Sequence, residues 1–330
     1  MMQELRYNPL TDEWIIVSAE TQKRPVQPSQ QSCPICIGGA ELPQQYDLVS
    51  FDNKFPALLR EPPEVVQDDF FQKERSYGVC EVVVYTSDHN TALPGMPLKQ
   101  IEKLVEMWVD RTIDLSKYDF VKYIFIFENR GKEVGASLPH PHGQLYAFPF
   151  IPKRIETKLM AMKKWYKEKG SCVICDVVKQ ELMKKERIVC QTKHFLAVVP
   201  FYARFPFEVH IYPKRHVSYI TQLSGEERSD FAKILKLVTS KYDALYQEEF
   251  PYMMMFFQAP VNVPINEEIF HFHVEFNPPK RDKDKIKWMA SVETGTWTFI
   301  NPVVPEQAAK MLREAKVEGE ECQSSERLEE

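Results

Sequence analysis

The 330-residue sequence contains no apolar run of about 18 residues, the length a helix needs to cross a bilayer. Its first residues, Met1-Met2-Gln3-Glu4-Leu5-Arg6, lack the apolar core of a secretory signal. The expectation is a cytoplasmic protein with no membrane partner. An excess of positive charge is also lacking: 42 Lys and Arg stand against 47 Asp and Glu, the formal net charge is −5 and the pI about 6.0. That balance excludes a mainly electrostatic grip on nucleic acid. A local basic pocket for one phosphate-bearing substrate stays open. An even set of cysteines is missing too, since there are seven. Four of them form two C-x-x-C pairs, Cys33/Cys36 and Cys172/Cys175. In a reducing compartment such pairs read as metal or redox sites before disulfides. Cys80, Cys190 and Cys322 stand alone, and the first two sit in apolar, strand-like runs that read as core.

What is present is a core-forming composition, 44% hydrophobic, and a motif written twice. The first copy runs Cys33-Pro34-Ile35-Cys36, then Asn53-Lys54-Phe55-Pro56-Ala57-Leu58, then a strand over 77–85 that leads to His89. A helix follows, with Ile101, Leu104, Val105, Trp108 and Val109 at helical spacing. A strand over 123–127 then leads to Pro139-His140-Pro141-His142-Gly143-Gln144. The second copy repeats the order. It has Cys172-Val173-Ile174-Cys175, Lys193-His194-Phe195-Leu196-Ala197-Val198, a strand over 207–212 ending near His216, a helix, a strand over 253–257, and His271-Phe272-His273. Ser224 and Glu227 have the spacing of a capping box at the start of that second helix. Phe270, Phe272, Val274 and Phe276 alternate with His271, His273 and Glu275, which predicts a strand with two distinct faces. Six of the eight histidines occupy equivalent places. The expected fold class is α+β, a duplicated unit with a largely antiparallel sheet and flanking helices. The expected division is 1–152 for the first repeat, 153–171 for a helical connector and 172–316 for the second repeat. Residues 317–330 read as a disordered acidic tail.

The spacing sets the chemistry. Cys33, Cys36, His89 and His140 suit a closed, tetrahedral Cys2His2 site, and Cys172, Cys175, His216 and His271 suit a second. If residues 140–144 run extended, His140, His142 and Gln144 share a face. With His140 on a metal, His142 is free to act as a nucleophile toward phosphorus. Backbone N–H groups of the upstream loop, with Gly131, Gly135 and Ser137, can hold phosphate oxygens, and Gln144 can donate to charge building on the phosphoryl group. The second copy keeps His273 but carries Val274-Glu275 in place of Gly-Gln. A carboxylate there would repel phosphate, so that copy reads as catalytically silent.

Phe127-Glu128-Asn129-Arg130-Gly131, Gly135, Ser137 and Pro139-His140-Pro141-His142-Gly143-Gln144 together resemble the signature of galactose-1-phosphate uridylyltransferases, members of the histidine-triad superfamily. Tyr7-Asn8-Pro9-Leu10-Thr11, Lys23-Arg24-Pro25, the first C-x-x-C and residues 53–58 follow in the family's order, and the resemblance covers roughly residues 6–315. It implies a ping-pong transfer. His142 takes UMP from UDP-glucose, releases glucose-1-phosphate, and passes the UMP to galactose-1-phosphate. It implies catalytic roles for His142, Gln144 and Ser137, and nucleotide and phosphate binding by Asn53, Asn129, Gly135, Ser137 and Gln144. Lys287 and Glu293 are placed near the hexose. Arg24 matches an arginine that reaches the neighbouring subunit's site, which implies a homodimer. Zn2+ is the implied cofactor, in two structural sites per chain.

This sequence departs from the family at several positions. Ala136 stands where many relatives have Cys, Leu138 where they have Asn, and Thr21 where they have a second arginine. Better-studied relatives have a second metal site of histidines and a carboxylate, and Phe257 takes one of those histidine positions. The second C-x-x-C and residues 295–305 resemble a branch that includes a plant-type ADP-glucose phosphorylase. The alternative reading is therefore a nucleotide-sugar phosphorylase or adenylyltransferase that uses the same histidine. A third is a non-catalytic zinc module, against which stand the acidic balance and the intact Gly143-Gln144.

Overall fold

The structure is a computed structural model that describes residues 3–23 and 29–317. Arg24 and residues 318–330, nearly all of the expected tail, lie outside it. In the first half the strands are β1 (Gln3–Asn8), β2 (Glu13–Ser18), β3 (Val49–Asp52), β4 (Lys73–Arg75), β5 (Val79–Val84), β6 (Tyr123–Arg130) and β7 (His142–Phe148). Helix α1 (Leu98–Ser116) lies between β5 and β6. Helices α2 (Lys153–Lys169) and α3 (Val173–Lys184) come next. The second half has β8 (Ile188–Gln191), β9 (Phe195–Val198), β10 (Val209–Pro213), helix α4 (Gly225–Tyr246), β11 (Tyr252–Phe257) and β12 (His273–Asn277). A short ribbon, β13 (Lys280–Asp282) and β14 (Lys285–Ile286), precedes helices α5 (Ser291–Thr296) and α6 (Pro305–Glu314).

Nine strands make one antiparallel sheet in the order β3-β5-β7-β6-β11-β12-β10-β9-β8. The order reads almost the same from either end. The first-half run β3-β5-β7-β6 is mirrored by β11-β12-β10-β9, and the halves join where β6 pairs with β11, Asn129 opposite Met253. The fold class is α+β, as the sequence pattern predicts. β1, β2 and β4 form a separate three-stranded sheet.

Local sequence explains the main elements. β5 reads Val-Cys-Glu-Val-Val-Val and is buried along its whole length, as a β-branched central strand should be. Its one charge, Glu81, is matched by Arg111 at 2.8 Å and Arg60 at 3.2 Å. α1 buries Ile101, Leu104, Val105, Trp108, Val109, Thr112 and Leu115 along one stripe. α4 begins with the expected capping box. The Ser224 hydroxyl accepts from the Glu227 amide at 3.2 Å, and the Glu227 carboxylate accepts from the Ser224 amide at 2.8 Å. α1 and α4 pack together over one face of the sheet, and their apolar stripes belong to one core that spans both halves. Trp108 stacks edge-on against Phe256 of β11, 4.8 Å between centroids, and so ties the first half's helix to the second half's sheet.

The other face carries the chemistry. In β7, Gly143, Leu145 and Ala147 are buried toward the helices, while His142, Gln144, Tyr146 and Phe148 point the opposite way. In the second half that opposite face is roofed by α2, so His273 and Glu275 of β12 are buried. Phe272, Val274 and Phe276 join the main core as expected, whereas Phe270 packs in the smaller cluster beneath α2.

Ser224→Ala removes one arm of the capping box, a loss of about 1 kcal/mol. In a chain of this size the thermal midpoint falls by about 2 °C. A scan by circular dichroism at fixed protein concentration checks this.

Candidate active site

Four ligand-type side chains from distant parts of the first half meet at the end of the β5–β7 pair. Cys36 Sγ lies 3.2 Å from His89 Nδ1 and 3.4 Å from His140 Nδ1, and Cys33 Sγ lies 3.9 Å from His140 Nδ1. Zinc–sulfur and zinc–nitrogen bonds at a tetrahedral angle put S and N about 3.6 Å apart. The donor set and its spacing fit zinc. His140 is fully buried, and its Nε2 donates to the Thr86 carbonyl at 2.8 Å. That bond places the lone pair on Nδ1, which faces the cysteines. Burial also holds its pKa below the ordinary histidine value, so the ring is in the neutral form that a metal requires. The second half repeats the arrangement. Cys175 Sγ is 3.4 Å from both His216 Nδ1 and His271 Nδ1, and Cys172 Sγ is 3.8 Å from His271 Nδ1. His216 and His271 direct Nε2 to the carbonyls of Glu267 and Pro213.

His140 lies just before β7 rather than within it. Its ring turns back into the cluster, and its carbonyl points to the next residue of the pattern. His142 Nδ1 donates to that carbonyl at 2.8 Å. The bond assigns the tautomer: Nδ1 carries the proton and Nε2 the lone pair. Burial lowers the pKa of His142 below the usual value, which keeps Nε2 unprotonated near neutral pH.

His142, Gln144, Asn53 and Ser137 line one cleft of about 50 Å³. Asn53 is set by its own turn. Its Oδ1 accepts from the Phe55 amide at 2.8 Å, so its Nδ2 donates to Gln144 Oε1 at 3.3 Å. Gln144 is then left with its amide donors for anything bound beside His142. On the other side of His142 a larger cavity of about 540 Å³ is lined by Asn129, Gly131, Lys132 and, from the second half, Glu249, Phe250 and Pro251. Gly135 has φ 78° and closes the turn after residues 132–134, a conformation natural to glycine. The amides of Val134, Gly135 and Ala136 bond inward, to the carbonyls of Gly131 and Lys132. They are therefore not the anion donors the loop composition suggests.

Lys287 and Glu293 lie in the second half, bonded to each other at 2.5 Å, and line neither cavity at His142. Glu275 also differs from its expected role as a free, repelling carboxylate: Arg154, Lys158 and Arg204 all bond to it. Lys158 Nζ sits 2.8 Å from His273 Nε2 and 3.5 Å from the Phe257 ring centroid. An ammonium occupies the space between these groups, so a metal site of histidines and a carboxylate does not fit here.

Three contributors were not legible in the sequence. Tyr46 donates to the Ile35 carbonyl at 2.5 Å and stands 3.4 Å from His140 Nε2, bracing the first cluster. Glu41 lines the small cleft. Glu128 lines the large cavity and is buried. It accepts from Tyr252 at 3.2 Å, and burial pushes its carboxyl up to about 7. Beside it lies Tyr85, whose hydroxyl abuts Gly143. A Cβ on Gly143 would come within 2.3 Å of that oxygen and 3.0 Å of the Phe127 carbonyl. Only glycine fits beside His142.

Two outcomes follow. Glu128 has a folded pKa above its unfolded value, so its contribution to stability is complete in acid and is lost as pH rises through about 7. Glu128→Gln therefore shows a smaller fall in thermal midpoint between pH 5 and pH 8 than the unmodified protein. Cys33→Ser costs stability before chemistry, because a closed metal site contributes folding free energy. The expected result is loss of one metal per chain and a lower midpoint. A variant that kept its midpoint but lost activity would contradict the structural role.

Comparison with known proteins agrees with this geometry. Residues 1–152 match the family model for the N-terminal domain of galactose-1-phosphate uridyl transferase, and residues 158–322 match that for its C-terminal domain. The chain is 72% identical to a galactose-1-phosphate uridylyltransferase of Thermotoga maritima, over 96% of this chain and all of that one. A solved uridylyltransferase superposes with TM-score 0.86 at 35% identity, covering 94% of this chain and 98% of the other. An ADP-glucose phosphorylase from Arabidopsis thaliana superposes with TM-score 0.74 at 27% identity, covering 96% and 100%. This chain belongs to the galactose-1-phosphate uridyl transferase family.

Proposed function

We propose that this enzyme moves UMP from UDP-glucose to galactose-1-phosphate through a covalent link to His142. The observation that carries the reading is the 2.8 Å bond from His142 Nδ1 to the His140 carbonyl, which leaves Nε2 as an aimed lone pair. In the first half-reaction Nε2 forms a bond to the α-phosphorus, and the bond from that phosphorus to the bridging oxygen breaks. Glucose-1-phosphate leaves with the electron pair. The imidazole becomes cationic, and the His140 carbonyl holds its Nδ1 proton throughout. In the second half-reaction a phosphate oxygen of galactose-1-phosphate attacks the same phosphorus and returns the ring to neutral. No net proton transfer is needed at any step. Gln144 Nε2 and the Ser137 hydroxyl are the donors to the phosphoryl oxygens, Asn53 orients Gln144, Asn129 borders the nucleotide from the larger cavity, and Gly135 closes the turn that leads to Ser137. The identity to the Thermotoga maritima enzyme favours the uridylyl reading over the ADP-glucose phosphorylase reading.

The two Cys2His2 clusters each hold zinc in a structural role. The first fixes His140, and through its carbonyl the nucleophile. Residues 1–152 act as the catalytic repeat, 153–171 as connector and 172–316 as the silent repeat. The protein works as a cytoplasmic homodimer. Lys287 and Glu293 line neither cavity at His142, so their contacts to the hexose are made across the dimer, and Arg24 serves the neighbouring subunit's site. No described helix is long and apolar enough to cross a membrane.

Exchange of labelled glucose-1-phosphate into UDP-glucose, with no galactose-1-phosphate present, tests the covalent route. The unmodified enzyme catalyses it, and His142→Ala loses it by about a thousandfold or more with an unchanged thermal midpoint. Exchange that requires galactose-1-phosphate would contradict the ping-pong order.

A further inference from the structure

A cavity larger than either one at His142 lies elsewhere in the molecule. It is an opening of about 670 Å³ on the second half, under the edge of α2. Its floor is the cluster around Glu275. Arg154 bonds that carboxylate at 2.5 Å, Arg204 at 3.0 Å, and Lys158 completes the set. Glu208, the other carboxylate, is taken up by the backbone amides of Arg204 and Phe205 at 2.6 and 3.0 Å and by His210 at 2.7 Å. His210 bonds Tyr212 in turn at 2.7 Å. Three cationic side chains thus face two carboxylates whose acceptor positions are already occupied. A guanidinium is a planar fork of several donors, and Glu275 takes one nitrogen of each arginine. The remainder of each fork borders the opening, where the side chains of Arg154 and Arg204 are about three-tenths exposed. A third cluster of ligand-type groups, Glu208, His210 and Glu275, is thereby disqualified as a metal site, because any added cation would meet these three.

The walls are aromatic. Trp165 is fixed by a bond to Asp176 at 2.8 Å, Arg204 lies over the Phe299 ring, and Tyr202 and Trp297 are more than half exposed at the rim. Large exposed rings around a floor with surplus cationic donors are what a flat, phosphate-bearing ligand needs. The rings stack a base, and the guanidinium forks take the phosphate.

We infer that this cavity is a second ligand site, taking a nucleoside phosphate by stacking on Trp165 and Trp297 and by charge-assisted bonds to Arg154 and Arg204. The site is distinct from the His142 clefts, which no tryptophan lines.

The probe is UMP, with inorganic phosphate as the control for charge alone. Equilibrium dialysis on the intact protein gives two UMP per chain, and tryptophan fluorescence is quenched as the second one binds. Arg154→Gln with Arg204→Gln reduces the count to one and abolishes the quench. Ala161→Trp, which fills the opening from α2 without touching the ion pairs, does the same and guards against misfolding of the double variant. Inorganic phosphate displaces the second UMP only at roughly a hundredfold excess. One UMP per chain in the unmodified protein would overturn the inference. So would two that survive both variants, or phosphate competing on equal terms.

Discussion

The structure depends on the bond between one residue's backbone and the side chain two positions later. The His140 carbonyl holds His142 Nδ1, and everything else fixes that carbonyl. The His140 ring is anchored on one side by Cys33 and Cys36 and on the other by the Thr86 carbonyl. Tyr46 braces it from below. Gly143 admits the Tyr85 hydroxyl against the strand, and Asn53 turns Gln144. A cluster suited to zinc therefore holds in place the backbone oxygen to which His142 is bonded.

The duplication shows how one frame carries two outcomes. Both halves keep the backbone lock, with His273 Nδ1 2.8 Å from the His271 carbonyl. They differ in what meets Nε2. In the first half His142 borders open clefts. In the second, Lys158 reaches down from α2 and occupies Nε2 of His273. His273 is thus closed off by a helix laid across the face, and the buried charge that helix brings is balanced by Glu275. The cationic cluster so formed opens onto an aromatic-rimmed cavity, which gives that half a ligand surface of its own.

Much of this was legible in the sequence because the signals are local. The paired histidines, the alternation through residues 270–276, the helical stripe of α1 and the Ser224–Glu227 box all depend on short-range spacing. The α+β duplication follows from their order. What the sequence hid depends on long-range neighbours. Glu275 read as a repelling carboxylate because Arg154, Lys158 and Arg204 are 121, 117 and 71 residues away. Tyr46 carries no motif that marks its place beside His140, and nothing in the 127–131 run marks Glu128 as a buried carboxyl bonded by Tyr252. The loop glycines promised free amides, and only the turn geometry reveals that three are spent inside the loop.

The central claim is that His142 alone carries the transferred nucleotide. Intact-mass analysis of the protein after mixing with UDP-glucose, with no acceptor added, tests it most directly. The account predicts one UMP adduct per chain, mapped to His142 by peptide digestion, absent in His142→Ala and discharged by galactose-1-phosphate. An adduct on any other residue, or an AMP adduct from ADP-glucose discharged by phosphate instead, would contradict it.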